Sequence, residues 1–191
     1  MIDAAVNHIA AVINQQLMRS FAINEDIVVV SNILEQDGTV ASHVNNKIVL
    51  SLVNIEKESA AMGQQSSASV AGMRSVVSNP PIHFNLYLMF ASYFSGSNYQ
   101  EGLKFISQAI GFFQGQNVFT QQNSPGLDRG IDKLVMDIYN LDITELSNLW
   151  GVLSGKYLPS VLYKVRMISV SADAVRGQTA VVSKPDPKFS L

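Results

Sequence analysis

The sequence has no cysteine, which excludes disulfide bridges and thiolate metal sites. It is also poor in charge. Asp, Glu, Lys and Arg make up 15% of the 191 residues, against the ~25% usual for soluble domains. The 13 basic and 15 acidic residues leave a net charge of −2, and the Lys and Arg are scattered. Without a basic stripe to neutralise phosphates, nucleic-acid binding is not expected. No apolar run reaches the ~18 residues that mark a membrane-spanning helix, so no membrane association is expected either. Met1-Ile2-Asp3 shows no positive segment of the secretory type. The expected place is the cytosol, unless the protein leaves by another route.

Histidine is scarce too. His8, His43 and His83 are the whole set, and no two stand at i,i+3 or i,i+4, so no helical ligand pair forms. His8 on a helix flank and His83 at a strand start read as surface or edge residues. Gly151-Val-Leu-Ser-Gly155-Lys156-Tyr157 has three residues between its glycines and Tyr after the Lys. A phosphate-binding loop needs four, then Ser or Thr, so this stretch reads as a helix end. The Gly-x-Ser-x-Gly elbow of a hydrolase is missing. Glu56 and Glu58, with Lys57 between them, read as a solvated strand end rather than a catalytic pair. No catalytic, cofactor-binding or metal-ligating residue is assigned, and the chain is not expected to be an enzyme.

What is present is a globular pattern. Apolar residues form 47% of the chain and are spread along it, and the length suits one domain. Gln, Asn and Ser fill the polar positions, and a charge-poor surface resists association weakly. That suits large protein–protein contacts, although compositional drift gives the same pattern.

Periodicity places the elements. Ile2, Val6, Ile9, Ile13 and Leu17 form one face of a helix, with Asp3 near its positive end. Ile27 to Val30 is a short β-branched strand. Ile48 to Val53 is apolar on both faces, as a strand covered on both sides. Phe84, Leu86, Leu88 and Phe90 give a long strand an apolar inner face. Asn98 and Glu101 suggest a capped helix, with Tyr99, Leu103, Ile106, Ile110 and Phe113 as its inner stripe, widened to much of the circumference by Phe105, Ala109 and Phe112. Gln121 to Gly130 reads as a loop, and Leu134, Met136 and Ile138 as a strand. Asp142 and Glu145 repeat the capping pattern ahead of Leu146, Leu149, Trp150 and Leu153, which face inward. In the last strand Val161, Tyr163, Val165 and Met167 share one face. Lys164 and Arg166 take the other, where they must meet solvent or a partner. The implied fold is α/β of the α+β kind: a twisted mixed or antiparallel sheet with helices packed mainly on one side. The domain spans 1–175, and 176–191 form a C-terminal tail.

Three segments carry a resemblance. They are Val53-Asn-Ile-Glu-Lys-Glu58, the stretch from Asn85-Leu-Tyr-Leu-Met-Phe through Asn117-Val-Phe119, and Leu146-Ser-Asn-Leu-Trp-Gly through Lys164-Val-Arg-Met167. In combination they resemble the tail-terminator, or cap, proteins of phage-tail-like extracellular contractile injection systems. The resemblance implies a phage tail-terminator-like fold and a closed homo-oligomeric ring, typically a hexamer. It implies a bacterial structural protein at the baseplate-distal end of the particle. Inner tube and sheath would be its partners, with polymerisation of both ending there. Assembly would be cytoplasmic, and the released particle extracellular. A terminator of a related contractile phage tail or type VI-like machine is the alternative, and a small-molecule-binding α/β domain a further one.

Two segments are expected to make assembly contacts. Ser59 to Pro80 is soft in composition and has too little apolar area to order alone. Val70, Met73 and Val76 are its apolar anchors and Arg74 its charged contact. In the tail, Gln178 to Ser183 is β-competent through Val181 and Val182, Pro185 and Pro187 stop any strand, and Phe189 and Leu191 offer two late apolar side chains. Either the tail adds a strand or plug to a neighbour, or Val181 and Val182 complete the chain's own sheet and the end frays.

Overall fold

The computed structural model describes residues 1–58, 70–71, 74–78, 82–153, 156–170 and 175–180. For 70–71, 74–78, 167–170 and 175–180 the description is of the backbone. The chain divides into two compact units. The larger is Met1–Glu56 with Phe84–Ile168, and the smaller is Lys57–His83 with Ser169–Leu191.

Helix α1 spans Ile2–Phe21, with Asp3 in its first turn and Arg19 in its last, so both charges complement the helix dipole. It ends at Ala22, which takes the left-handed conformation with φ 52. The predicted apolar face is the buried one, from Val6 through Ile9 and Ile13 to Leu17. His8 and Asn14 are buried beside it, which corrects the reading of His8 as a surface residue.

Six strands make the main sheet: β1 (Val28–Val30), β2 (Lys47–Lys57), β5 (Ile82–Tyr93), β6 (Val118–Thr120), β7 (Lys133–Ile138) and β8 (Ser160–Val170). Their spatial order is β1-β2-β5-β8-β7-β6. The sheet is mixed. β1 runs parallel to β2, with Val28 opposite Ile48. β7 runs antiparallel to both β6 and β8, with Val118 opposite Val135 and Met136 opposite Val165. Three-residue β6 was not foreseen. Its signal is one buried aromatic, Phe119, between half-buried neighbours, too short for alternation to show.

Side chains alternate across a strand, so each face buries its own set. Ile48, Leu50, Leu86, Leu88, Phe90, Leu134, Tyr163 and Val165 join the core under α1 and helix α2 (Tyr99–Gly115). Met89, Ala91 and Leu162 point the other way, against Trp150 of helix α3 (Ile143–Val152). Ala41 and Val44, from the segment before β2, cover Val49. Two of the three described helices thus share a face, and α3 holds the other.

Helix α2 (Tyr99–Gly115) corrects the sequence reading in two respects. A 3-10 turn, Gly96–Asn98, precedes it, and Asn98 makes no side-chain cap. Its amide instead donates to Asn46 Oδ1 at 3.3 Å. The buried stripe is Gly102, Phe105, Ile106, Ala109 and Phe113, while Tyr99 and Leu103 are exposed. The competing reason is close approach: a Cβ on Gly102 would stand 2.8 Å from the Phe94 ring. Phe105, Ile106, Ala109 and Phe113 are buried as expected, and what hydrophobicity alone misses is Gly102, which marks the contact line without a side chain.

In the smaller unit, β3 (Val70–Ala71), β4 (Arg74–Ser78) and β9 (Val175–Ala180) form an antiparallel sheet in the order β3-β4-β9. Strands thus occur inside the stretch 59–80, whose composition is soft.

Candidate functional site

On the α3 side of the main sheet, polar and aromatic groups meet across four neighbouring strands. Tyr87 of β5 donates its hydroxyl to Glu56 of β2 at 2.7 Å, and Lys164 Nζ of β8 lies 3.3 Å from the same carboxylate oxygen. Lys164 Nζ also stands 5.6 Å from the centroid of the Tyr87 ring. Tyr139 meets Tyr87 edge-on at 5.1 Å. One strand further, Arg166 pairs with Asp137 of β7. The Tyr87 hydroxyl first, and Lys164 second, hold the Glu56 carboxyl below the usual carboxylate range. Glu56 is therefore an exposed anion at the end of β2, as the sequence suggests, tied into a network by Tyr87 and Lys164. At neutral pH it is ionised, so it cannot act as a general acid. Lys164 and Arg166 do lie on the face predicted to meet solvent or a partner.

A second polar cluster joins α1 to the turn after β6. His8 Nε2 is 2.7 Å from Ser124 Oγ, and the ring also bonds the Gly126 backbone. Phe119 meets the imidazole edge-on at 6.2 Å. Burial lowers the His8 pKa, and the Gly126 bond opposes this in part. A Ser–His pair has the donor–acceptor geometry of an activated hydroxyl, but His8 is 9% and Ser124 7% exposed. The described contacts orient the imidazole through a backbone group rather than a carboxylate. The pair works as a tie between elements. Beside it runs a groove of about 750 Å³, lined by the outer side of α1, by Phe112 and Gln116 of α2, and by the turn from Asn123 to Asp128.

At the two edges of the main sheet, asparagine side chains meet the backbone. Asn14 Oδ1 accepts from the Ile27 and Val28 N–H groups at 3.0 and 2.8 Å, and its Nδ2 donates to the Val28 carbonyl at 2.8 Å. Asn123 Oδ1 accepts from Thr120 N–H at 2.8 Å, and its Nδ2 donates to the Val118 carbonyl at 2.9 Å. Composition gave no sign of either. Asparagine near a strand reads equally well as turn or surface.

Of the contact residues expected from sequence, Val70 lies in β3 opposite Ser75. Arg74 and Val76 lie in β4, opposite Ala180 and Gln178 of β9. The two segments singled out separately are thus paired in one sheet. Met73, Val181, Val182, Phe189 and Leu191 lie outside the described residues. Among the described residues, no cluster of three His, Asp or Glu could hold a metal ion, and no helix is long and apolar enough to cross a membrane.

The family model described as the Pvc16 N-terminal domain matches residues 4–184. No curated protein matches the chain. Among solved structures, the fold is similar to the PVC sheath/tube terminator of an extracellular contractile injection system in its extended state. There the TM-score is 0.60 at 18% identity over 100% of this chain. It is also similar to the tube-terminating cap of the anti-feeding prophage, with TM-score 0.59 at 14% identity over 92% of this chain. The chain spans 65% and 58% of the length of those two proteins.

Proposed function

From the premise that this chain belongs to the Pvc16 N-terminal domain family, we propose that it is a structural cap. It ends tube and sheath polymerisation at the baseplate-distal end of a contractile injection particle and ties the two together there. The observation that carries this is the family match across residues 4–184. The solved structures support it, because both are terminators and the fold is shared across all or nearly all of the chain. Their capping role favours a structural function over a catalytic one.

In this reading the subunit forms a closed ring, a hexamer, since heterologous contacts that fail to close would polymerise. Its partners are its own copies, the inner tube protein and the sheath protein. It assembles in the cytoplasm and leaves with the released particle. The contacts we assign to neighbours are Val70, Arg74 and Val76 of the smaller sheet, with Met73. The tail 176–191 adds Val181, Val182, Phe189 and Leu191. The network around Glu56 and Tyr87 adds a charged face.

Deletion of the gene, followed by electron microscopy of the particles, tests this. The expected outcome is loss of length control, with sheath that contracts or detaches early. Deletion particles of normal length with intact extended sheath would overturn the proposal.

A further inference from the structure

The chain is charge-poor, and neither edge strand of the main sheet carries a charged residue: β1 is Val28–Val30 and β6 is Val118–Thr120. An open, apolar edge is a template for a second chain, and proteins usually block it with Lys, Pro or a bulge. Here the blocking group is a carboxamide at both edges. A carboxamide carries the same donor and acceptor as a peptide unit, so it can stand where a neighbouring strand would. At β1, Asn14 exchanges two hydrogen bonds with one residue, Val28, as an antiparallel partner residue does. Asn14 is itself only 7% exposed, held in place from α1. At β6, Asn123 bonds the Val118 carbonyl and the Thr120 N–H, groups two residues apart, as one residue of a parallel neighbour does. The Asn117 carbonyl turns to β7, where it accepts from Met136 N–H at 2.8 Å, so alternation directs the Val118 and Thr120 groups outward.

We propose that Asn14 and Asn123 are edge guards. They end the six-stranded sheet within one chain and direct contacts between copies away from strand addition at β1 and β6. A second copy of the chain is the partner they exclude from those edges. The inference goes beyond the capping role and does not depend on it.

Asn123 sits in an exposed turn, so it is the position to change in the purified full chain. In N123A the Thr120 N–H and Val118 carbonyl lose their partner. N123D keeps an acceptor for Thr120 and puts a negative charge at the edge, which opposes strand addition. Circular dichroism first checks that both variants fold. Hydrogen exchange at the Thr120 amide is expected to rise roughly tenfold in N123A, and far less in N123D. Mass photometry is expected to show N123A growing with concentration into species larger than wild type forms, while N123D keeps the wild-type size. If N123A keeps the wild-type size although Thr120 exchanges faster, the edge needs no guard and the proposal falls. Unchanged exchange in N123A, or equal growth of both variants, overturns it as well. A chain that fails to cap particles leaves these readouts untouched, so the two proposals fail separately.

Discussion

The ring of Tyr163 packs against that of Phe113, with centroids 5.3 Å apart, in the core between the sheet and α2. Its hydroxyl is buried there and meets no hydrogen-bond partner among the described residues. Burying such a group unpaired costs about 1–3 kcal/mol, so Tyr163→Phe is expected to match or exceed wild-type stability in urea denaturation. Burial also pushes the phenol from 10.0 up to about 12. The native state therefore keeps its proton after the unfolded chain has lost it. Stability is unaffected by this group below pH 10 and falls as pH rises from 10 towards 12. The phenylalanine variant should lose less stability over that range. A variant less stable than wild type at pH 7 would show that the hydroxyl has a partner after all.

His8 sets the opposite limit. Burial holds its pKa below the ordinary 6.5, so the native state prefers the neutral ring. Its contribution is complete above 6.5 and is lost as pH falls from there through the lowered native value. His8→Gln removes the titration, so its loss of stability on acidification from pH 7 should be smaller than wild type's. Ser124→Ala leaves Nε2 without its partner at 2.7 Å, and a cost of about 1–3 kcal/mol is expected at pH 8. Parallel denaturation curves for wild type and His8→Gln across that range would rule out His8 as a source of acid sensitivity.

Gly102 lies on the contact line of α2 with β5. A Cβ there would meet Ser92 Oγ and the Phe94 ring, the latter at 2.8 Å. Ordinary helix propensity predicts that Gly→Ala stabilises by up to about 1 kcal/mol. The packing predicts the reverse, a loss of about 1–3 kcal/mol from overpacking. Thermal denaturation of Gly102→Ala decides by its sign. Gly111 on the same helix, with nothing within 4 Å of an added Cβ, should show the propensity gain.

Much of the fold is legible because the main core depends on repeats of one residue type. The stripe from Val6 to Leu17 and the alternation around Leu86, Leu88 and Phe90 both appear in the buried set. Trp150 is core, as its helical spacing with Leu146 and Leu153 suggests. What escapes notice depends on single residues whose effect is geometric. Gly102 takes a place in the buried stripe of α2 without a side chain to announce it. Phe119 anchors a strand too short to alternate. The site was less legible than the fold. The face with Lys164 and Arg166 could be marked as outward, but not that Glu56 and Asp137 answer them. Those partners are 108 and 29 residues distant in sequence. Asn14 and Asn123 bond backbone groups, which every sequence carries equally, so no residue pattern betrays them.

The two capping patterns make the last prediction, because identical sequence logic gives opposite structures. Asp142 accepts from Glu145 N–H at 2.7 Å, and Glu145 returns a bond to Asp142 N–H at 3.0 Å, a complete capping box. Its φ of −73 and ψ of 172 are the extended geometry an N-cap needs. Asn98 has φ −89 and ψ −2, already turned by the preceding 3-10 turn, so its side chain cannot reach back to the first amides of α2. Asp142→Ala should cost about 1 kcal/mol, within the usual ~0.5–2 range for losing a cap. Asn98→Ala removes one 3.3 Å bond to Asn46 near the surface, and a loss under about 0.5 kcal/mol is expected. Urea denaturation of the two variants gives the comparison directly. Equal losses would mean that Asn98 caps α2 in solution. A negligible loss at Asp142 would mean that α3 is fixed by Trp150 against Met89 and Ala91, without help from its cap.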